Sequence, residues 1–284
     1  MAVYEGNQQA QEHLLDSARN ITQAFLHAPQ ITGRTVLRTA ILTDEDLLPV
    51  IEILEEMAKV LGFVKVSADT YRKAYDAGHP PVLLLLGADV TQSELGWDCG
   101  ACGFKTCGEF NKYAKKKRGV GRIFGGPSCN WKYFDYNVAA SWACDAAARF
   151  HIENRIEGSS GLISMLLGYL PGCNVINGLP LGPCTDIWYY NRPAFQAEYE
   201  YWKQLVCTSI PQAVQPFAGT GVPMVKVEPE WWKHRRYIKV EDVPEYEAAG
   251  AQVQQNVGAV VAKHMEKVQA NVKKLEGERM KKLD

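Results

Sequence analysis

Three cysteines within nine residues constrain this chain more than any other feature. Cys99, Cys102 and Cys107 stand at C-x2-C-x4-C spacing in the string from Trp97 to Gly108, and Cys129 follows 22 positions later in Gly-Gly-Pro-Ser-Cys. A loop this short turns its sulfurs inward, and a distant fourth cysteine can close the site. Gly100, Gly103 and Gly108 are interleaved with these thiols. They are predicted to adopt backbone angles closed to other residues and to leave N–H groups facing sulfur. The remaining four of the eight cysteines, Cys144, Cys173, Cys184 and Cys207, are widely spread, and none precedes Cys99. In a reducing compartment such clustering points to metal ligation or redox chemistry rather than disulfides.

Four readings compete for the constellation. A zinc site more usually pairs C-x2-C with a second such pair or with histidines, and no histidine lies between His79 and His151. A C-x-x-C redox pair has no need of Cys107 and Cys129. Unliganded buried thiols leave the interleaved glycines without a reason. The residues fit best an iron–sulfur cluster of the [4Fe–4S] type held by Cys99, Cys102, Cys107 and Cys129, with Cys144 in reserve for the fourth place. The spacing is neither that of bacterial two-cluster ferredoxins nor the plant-type order. It resembles the four-cysteine module of the corrinoid iron–sulfur protein and of the cluster-bearing subunit of Rnf-type membrane complexes, in which the last gap is shorter.

The rest of the chain reads as an α+β or α/β layer structure. Asn7 to His27 has helical periodicity and is ended by Ala28-Pro29; Thr35 to Leu42 reads as a strand. Asp46 is the expected N-cap of a helix over Leu47 to Leu61, stopped by Gly62. Pro81 to Gly87 is apolar without alternation, which predicts a strand covered on both faces. Tyr136 to Phe150 and Gly161 to Gly168 are helical in pattern, and Asn174 to Leu181 is strand-like. Leu205 to Glu230 holds four prolines and reads as an extended arm, and from Tyr246 onward apolar residues recur three or four apart. A net charge of −1 argues against a general nucleic-acid binder, although Trp231 to Tyr237 mixes aromatic and basic residues. The longest apolar run, Val82 to Leu86, is too short to span a bilayer, and with no basic-then-apolar leader at the N-terminus the expected location is cytoplasmic.

The longer string resembles one family. DCGACGFKTCGEF (Asp98 to Phe110), GPSC (Gly126 to Cys129), IENRI (Ile152 to Ile156) and GLPLG (Gly178 to Gly182) resemble the ferredoxin-domain-containing proteins of domain of unknown function 2148. The resemblance is firmest over residues 97–192 and implies a cluster on the four cysteines. It divides the chain into a core over 1–192, with the iron–sulfur module at 97–130, and an arm and C-terminal helix over 193–284. The element order is more weakly similar to the nitroreductase-like fold, whose members are commonly homodimers holding FMN; Arg19, Arg34 and Arg38 are the candidate flavin-phosphate arginines.

The expected function is electron transfer by a small redox protein or a subunit of a redox complex. The alternatives are an FMN-containing nitroreductase-like oxidoreductase fed by the cluster, and an accessory subunit whose cluster is structural. The basic run Lys112 to Arg122, between the third and fourth ligands, is expected to lie exposed beside the site, with Lys115, Lys116, Lys117 and Arg118 facing an acidic redox partner. The apolar faces of the arm and the C-terminal helix lead to the expectation of a homo-oligomer or of docking into a larger complex.

Overall fold

The computed structural model describes residues 3–59, 62–117, 119–120, 125–182 and 244–277. In chain order these form α1 (Gly6–Glu12), α2 (Leu14–Leu26), β1 (Leu37–Leu42), a 3-10 turn (Asp44–Leu47), α3 (Leu48–Ala58), α4 (Gly62–Asp76) and β2 (Val82–Ala88). There follow α5 (Cys107–Lys117), the two-residue strands β3 (Gly119–Val120) and β4 (Gly125–Gly126), α6 (Asn130–Arg149), α7 (Gly158–Leu166), β5 (Val175–Leu181) and α8 (Pro244–Gly277). The class is α+β.

The unalternating run becomes the middle strand of the sheet. β2 pairs antiparallel with β1 on one side and β5 on the other, with Leu84 opposite Ile41 and Leu179, and all seven of its residues are buried. Successive side chains point to opposite faces. Leu83 and Leu85 therefore join Ile51 and Leu54 of α3, Tyr71 of α4 and Ile163 of α7. Val82, Leu84 and Leu86 join Ile21 and Phe25 of α2 and Tyr136, Ala140 and Ala143 of α6. Each of these leucines contributes about 2 kcal/mol by leaving water. Helices on both faces thus make a strand without polar positions stable, with antiparallel rather than parallel neighbours.

Small residues bring the layers close. A Cβ on Gly161 of α7 would lie 1.9 Å from the Ile176 carbonyl oxygen and 2.6 Å from the Asn177 Cα, so only glycine fits there. Along α6, Ala139, Ala140, Ala143 and Ala147 are buried, and Tyr136 meets Phe25 edge-on at 6.2 Å. The Tyr136 hydroxyl donates to the Leu86 carbonyl at 3.0 Å, and burial pushes its phenol far above the usual range. Buried Asp135, on the same helix, accepts from the Ile31 and Thr32 N–H groups and the Thr32 and Thr35 hydroxyls, fixing the turn after Ala28-Pro29.

Several elements differ from expectation. The first helix is two, broken at His13, and α1 buries nothing. Asp46 is not a cap: it lies in the 3-10 turn, and α3 begins from Leu47 without a side-chain cap. Its carboxylate instead accepts from Asn271 of α8 at 3.0 Å and pairs with Lys267 at 3.2 Å. Gly62 opens a helix rather than closing one.

The apolar stripe of α8 finds its cover within the chain. Val257 and Val268 are buried in the α3 side of the core, and Glu52 of α3 pairs with Lys263 at 2.8 Å and His264 at 3.0 Å. The expected arm, the boundary at 192/193 and the Trp231 to Tyr237 segment lie outside the described residues. No helix among the described residues is long and apolar enough to cross a membrane.

Candidate metal centre

Cys99, Cys102, Cys107 and Cys129 line one pocket, together with Trp97, Phe104, Phe110 and Trp131. They reach it from three places: an irregular loop, the start of α5 and the start of α6. The loop turns because Gly100 and Gly103 take φ of 73° and 85°, which side-chain-bearing residues avoid, and the Gly103 N–H donates to the Gly100 carbonyl at 2.9 Å. Asp98 also sits at a positive φ, 47°, and its carboxylate accepts the Cys107 N–H at 2.7 Å. Gly108, expected to share the unusual angles, is an ordinary residue of α5. Thr106 starts that helix by accepting the Glu109 N–H on its hydroxyl at 3.1 Å.

Cys129 is fixed by the core. It lies at the N-terminal boundary of α6 in extended conformation, it is buried, and its N–H donates to the Val90 carbonyl at 2.7 Å. Asn174 ties the same strip together: its side chain accepts the Val90 N–H at 2.8 Å and donates to the Gly125 carbonyl at 3.1 Å. Phe110 and Ala114 of α5 form a small separate core with Cys129, flanked by Leu95, Cys102, Phe104 and Trp131.

Two side chains outside the cysteine motif donate to its sulfurs. The Trp131 indole N–H points to Cys99 Sγ at 3.2 Å. The Ser93 hydroxyl points to Cys107 Sγ at 3.5 Å. Ser93 is itself held from both sides by Asn111 of α5, at 2.8 Å for each bond. The Ser93 hydroxyl and then the N–H groups of Asp98, Trp97 and Gly96 hold the Cys107 thiol below its ordinary value. Beside the pocket, nearly buried Lys132 pairs with Glu94 at 2.7 Å.

The other expected residues fall elsewhere. Cys144 packs on the α2 side of the core rather than in the pocket, and burial pushes its thiol up to about 11. Cys173 packs against the α3 side of the core; Cys184 and Cys207 lie outside the described residues. Arg19 pairs with Asp16 on the surface, Arg34 is exposed, and Arg38 donates to the Pro171 carbonyl, so none of the three lines the pocket. Lys115, Lys116 and Lys117 are exposed, as expected, but in the last turn of α5 rather than in a loop. Arg118 lies outside the described residues. No group of three or more His, Cys, Asp or Glu side chains placed to hold a single metal ion occurs among the described residues.

Asn174, Ser93 and Trp131 were not singled out from the sequence. Only Trp131 carried a signal, its position two residues after Cys129.

A family model described as uncharacterized protein containing a ferredoxin domain (DUF2148) matches residues 125–192, a stretch that begins just before Cys129. An uncharacterized protein of Archaeoglobus fulgidus is 30% identical over 165 residues, which cover 58% of this chain and 84% of the relative. No solved structure matches the chain. The share of that relative covered, and the family model seated over the segment that carries the buried cysteine, establish that this chain belongs to the ferredoxin-domain family DUF2148.

Proposed function

We propose that Cys99, Cys102, Cys107 and Cys129 hold one [4Fe–4S] cluster and that the protein transfers electrons, alone or as a subunit of a larger redox complex. The observation that carries this reading is the meeting of Cys99, Cys102 and Cys107 with Cys129, 22 residues further along the chain, in one pocket. When bound, the group accepts and releases single electrons. The chain's own residues suit it. The donor set is all sulfur, the preference of iron–sulfur centres. Cys107 and Cys129 stand at the N-termini of α5 and α6, where orphan N–H groups and the helix dipole favour negative charge. The Ser93 hydrogen bond to Cys107 favours thiolate over thiol there.

Zinc is the competing occupant of a four-cysteine site. Its usual partners would be two C-x2-C pairs, or one such pair with nearby histidines, and no histidine lies between His79 and His151. The nitroreductase likeness rests on element order alone, and no observation favours a flavin.

Anaerobically purified protein is expected to contain about four iron and four sulfide per chain, with a broad absorption shoulder at the violet end of the visible range. Cys99→Ala and Cys107→Ala should each lose the iron and loosen the loop, because metal binding is coupled to local folding. Stoichiometric zinc with negligible iron would overturn the proposal.

A further inference from the structure

Cys99 is the exposed member of the four cysteines, and the ring laid against it is Trp131. The indole belongs to the first turn of α6, two residues after Cys129. One helix start therefore provides both a candidate ligand and a donor to the candidate ligand at the far end of the motif. Edge-on contacts bracket the ring, with Trp97 at 6.1 Å and Phe134 at 6.4 Å. Both neighbours are themselves about half exposed, at 48% and 50%.

We infer that Trp131 is a positioning residue for the redox centre: its N–H raises the reduction potential through Cys99. The inference rests on the cluster reading above. Reduction adds negative charge that is shared with the thiolate sulfurs. A donor 3.2 Å from one of them stabilises the reduced state more than the oxidised state, and the couple shifts upward. Ser93 acts in the same direction on Cys107, but at 3.5 Å and through a weaker O–H···S contact. The two residues therefore rank, with Trp131 the larger influence.

The test compares wild type, Trp131→Phe and Ser93→Ala by anaerobic potentiometric titration, with iron content measured on each sample. Trp131→Phe keeps a smaller aromatic ring and removes the donor. It should give a more negative midpoint with iron unchanged, and Ser93→Ala a smaller shift of the same sign. A Trp131→Phe protein with full iron and an unaltered midpoint overturns the inference and leaves the cluster reading standing. Wild-type protein without iron overturns the cluster reading itself. Where Trp131→Phe fails to load, wild type carrying 15N-indole tryptophan decides. Pulsed electron paramagnetic resonance of its reduced state should show one indole nitrogen coupled to the centre, and no such coupling overturns the inference.

Discussion

In metal-free protein, two thiols of this chain meet opposite surroundings. The Ser93 hydroxyl and neighbouring N–H groups stabilise the Cys107 thiolate, whereas burial in the α2 side of the core holds Cys144 as a thiol up to about pH 11. Alkylation follows the thiolate fraction and access. Near neutral pH, iodoacetamide should therefore modify Cys107 well before Cys144, as peptide mass mapping would show. Ser93→Ala should slow Cys107, because the largest cause of its lowered value is removed; equal rates at the two cysteines would contradict the electrostatic picture. The spacing of the cysteines announced four candidate ligands, but not what surrounds them. Ser93 lies 14 residues before Cys107 and Trp131 lies 32 after Cys99. Nothing local in a sequence marks a hydroxyl that reaches sulfur across such a gap, and the indole's one signal is its place two residues after Cys129.

At the scale of elements, the tight seam between α7 and β5 is the most demanding. A methyl group on Gly161 would collide with backbone at 1.9 Å, and backbone cannot rotate aside as a side chain can. Gly161→Ala should cost about 3 kcal/mol, the upper end of overpacking penalties, seen as an earlier midpoint in anaerobic urea unfolding. Gly108→Ala is the contrasting case. Its methyl would make an ordinary 3.8 Å contact with Thr106 Oγ1 on a helical residue, so stability should hold or rise slightly. The expectation of special angles at Gly108 fails because α5 starts one residue earlier, at Cys107. β2 was legible because no polar residue interrupts it, and a strand so apolar must be covered twice. α4 went unread although Val64, Ala68 and Tyr71 recur at helical spacing and are buried; Gly62 suggested an ending, and tertiary packing made it a start. Asp46 misled in a related way. An acidic residue before an apolar stripe has the form of a cap, but here its carboxylate binds α8, more than 200 residues away in sequence.

Across the whole molecule the charge is nearly balanced at −1, yet its distribution is uneven. Lys115, Lys116 and Lys117 crowd the last turn of α5, the helix that begins at a candidate ligand. Cations there are favoured by the helix dipole whatever else they do. We propose that they also steer an acidic redox protein toward the exposed Cys99 side. Electron exchange with such a partner should slow as salt rises, and a Lys115→Glu, Lys117→Glu variant should exchange more slowly and lose most of that salt dependence. Stopped-flow rates unaffected by both changes would leave the lysines as solvated charges. The anchoring of Cys129 has a consequence for the protein's lifetime in a world with oxygen. Three of the four candidate ligands ride on a loop and its adjoining helix start, but the fourth is tied through Val90 and Asn174 to the ends of β2 and β5. A bleached molecule would keep one fixed post of its socket, and rebuilding would require a short loop to close again rather than a chain to refold. On the cluster reading, a lost centre would then be rebuilt in place on the same polypeptide.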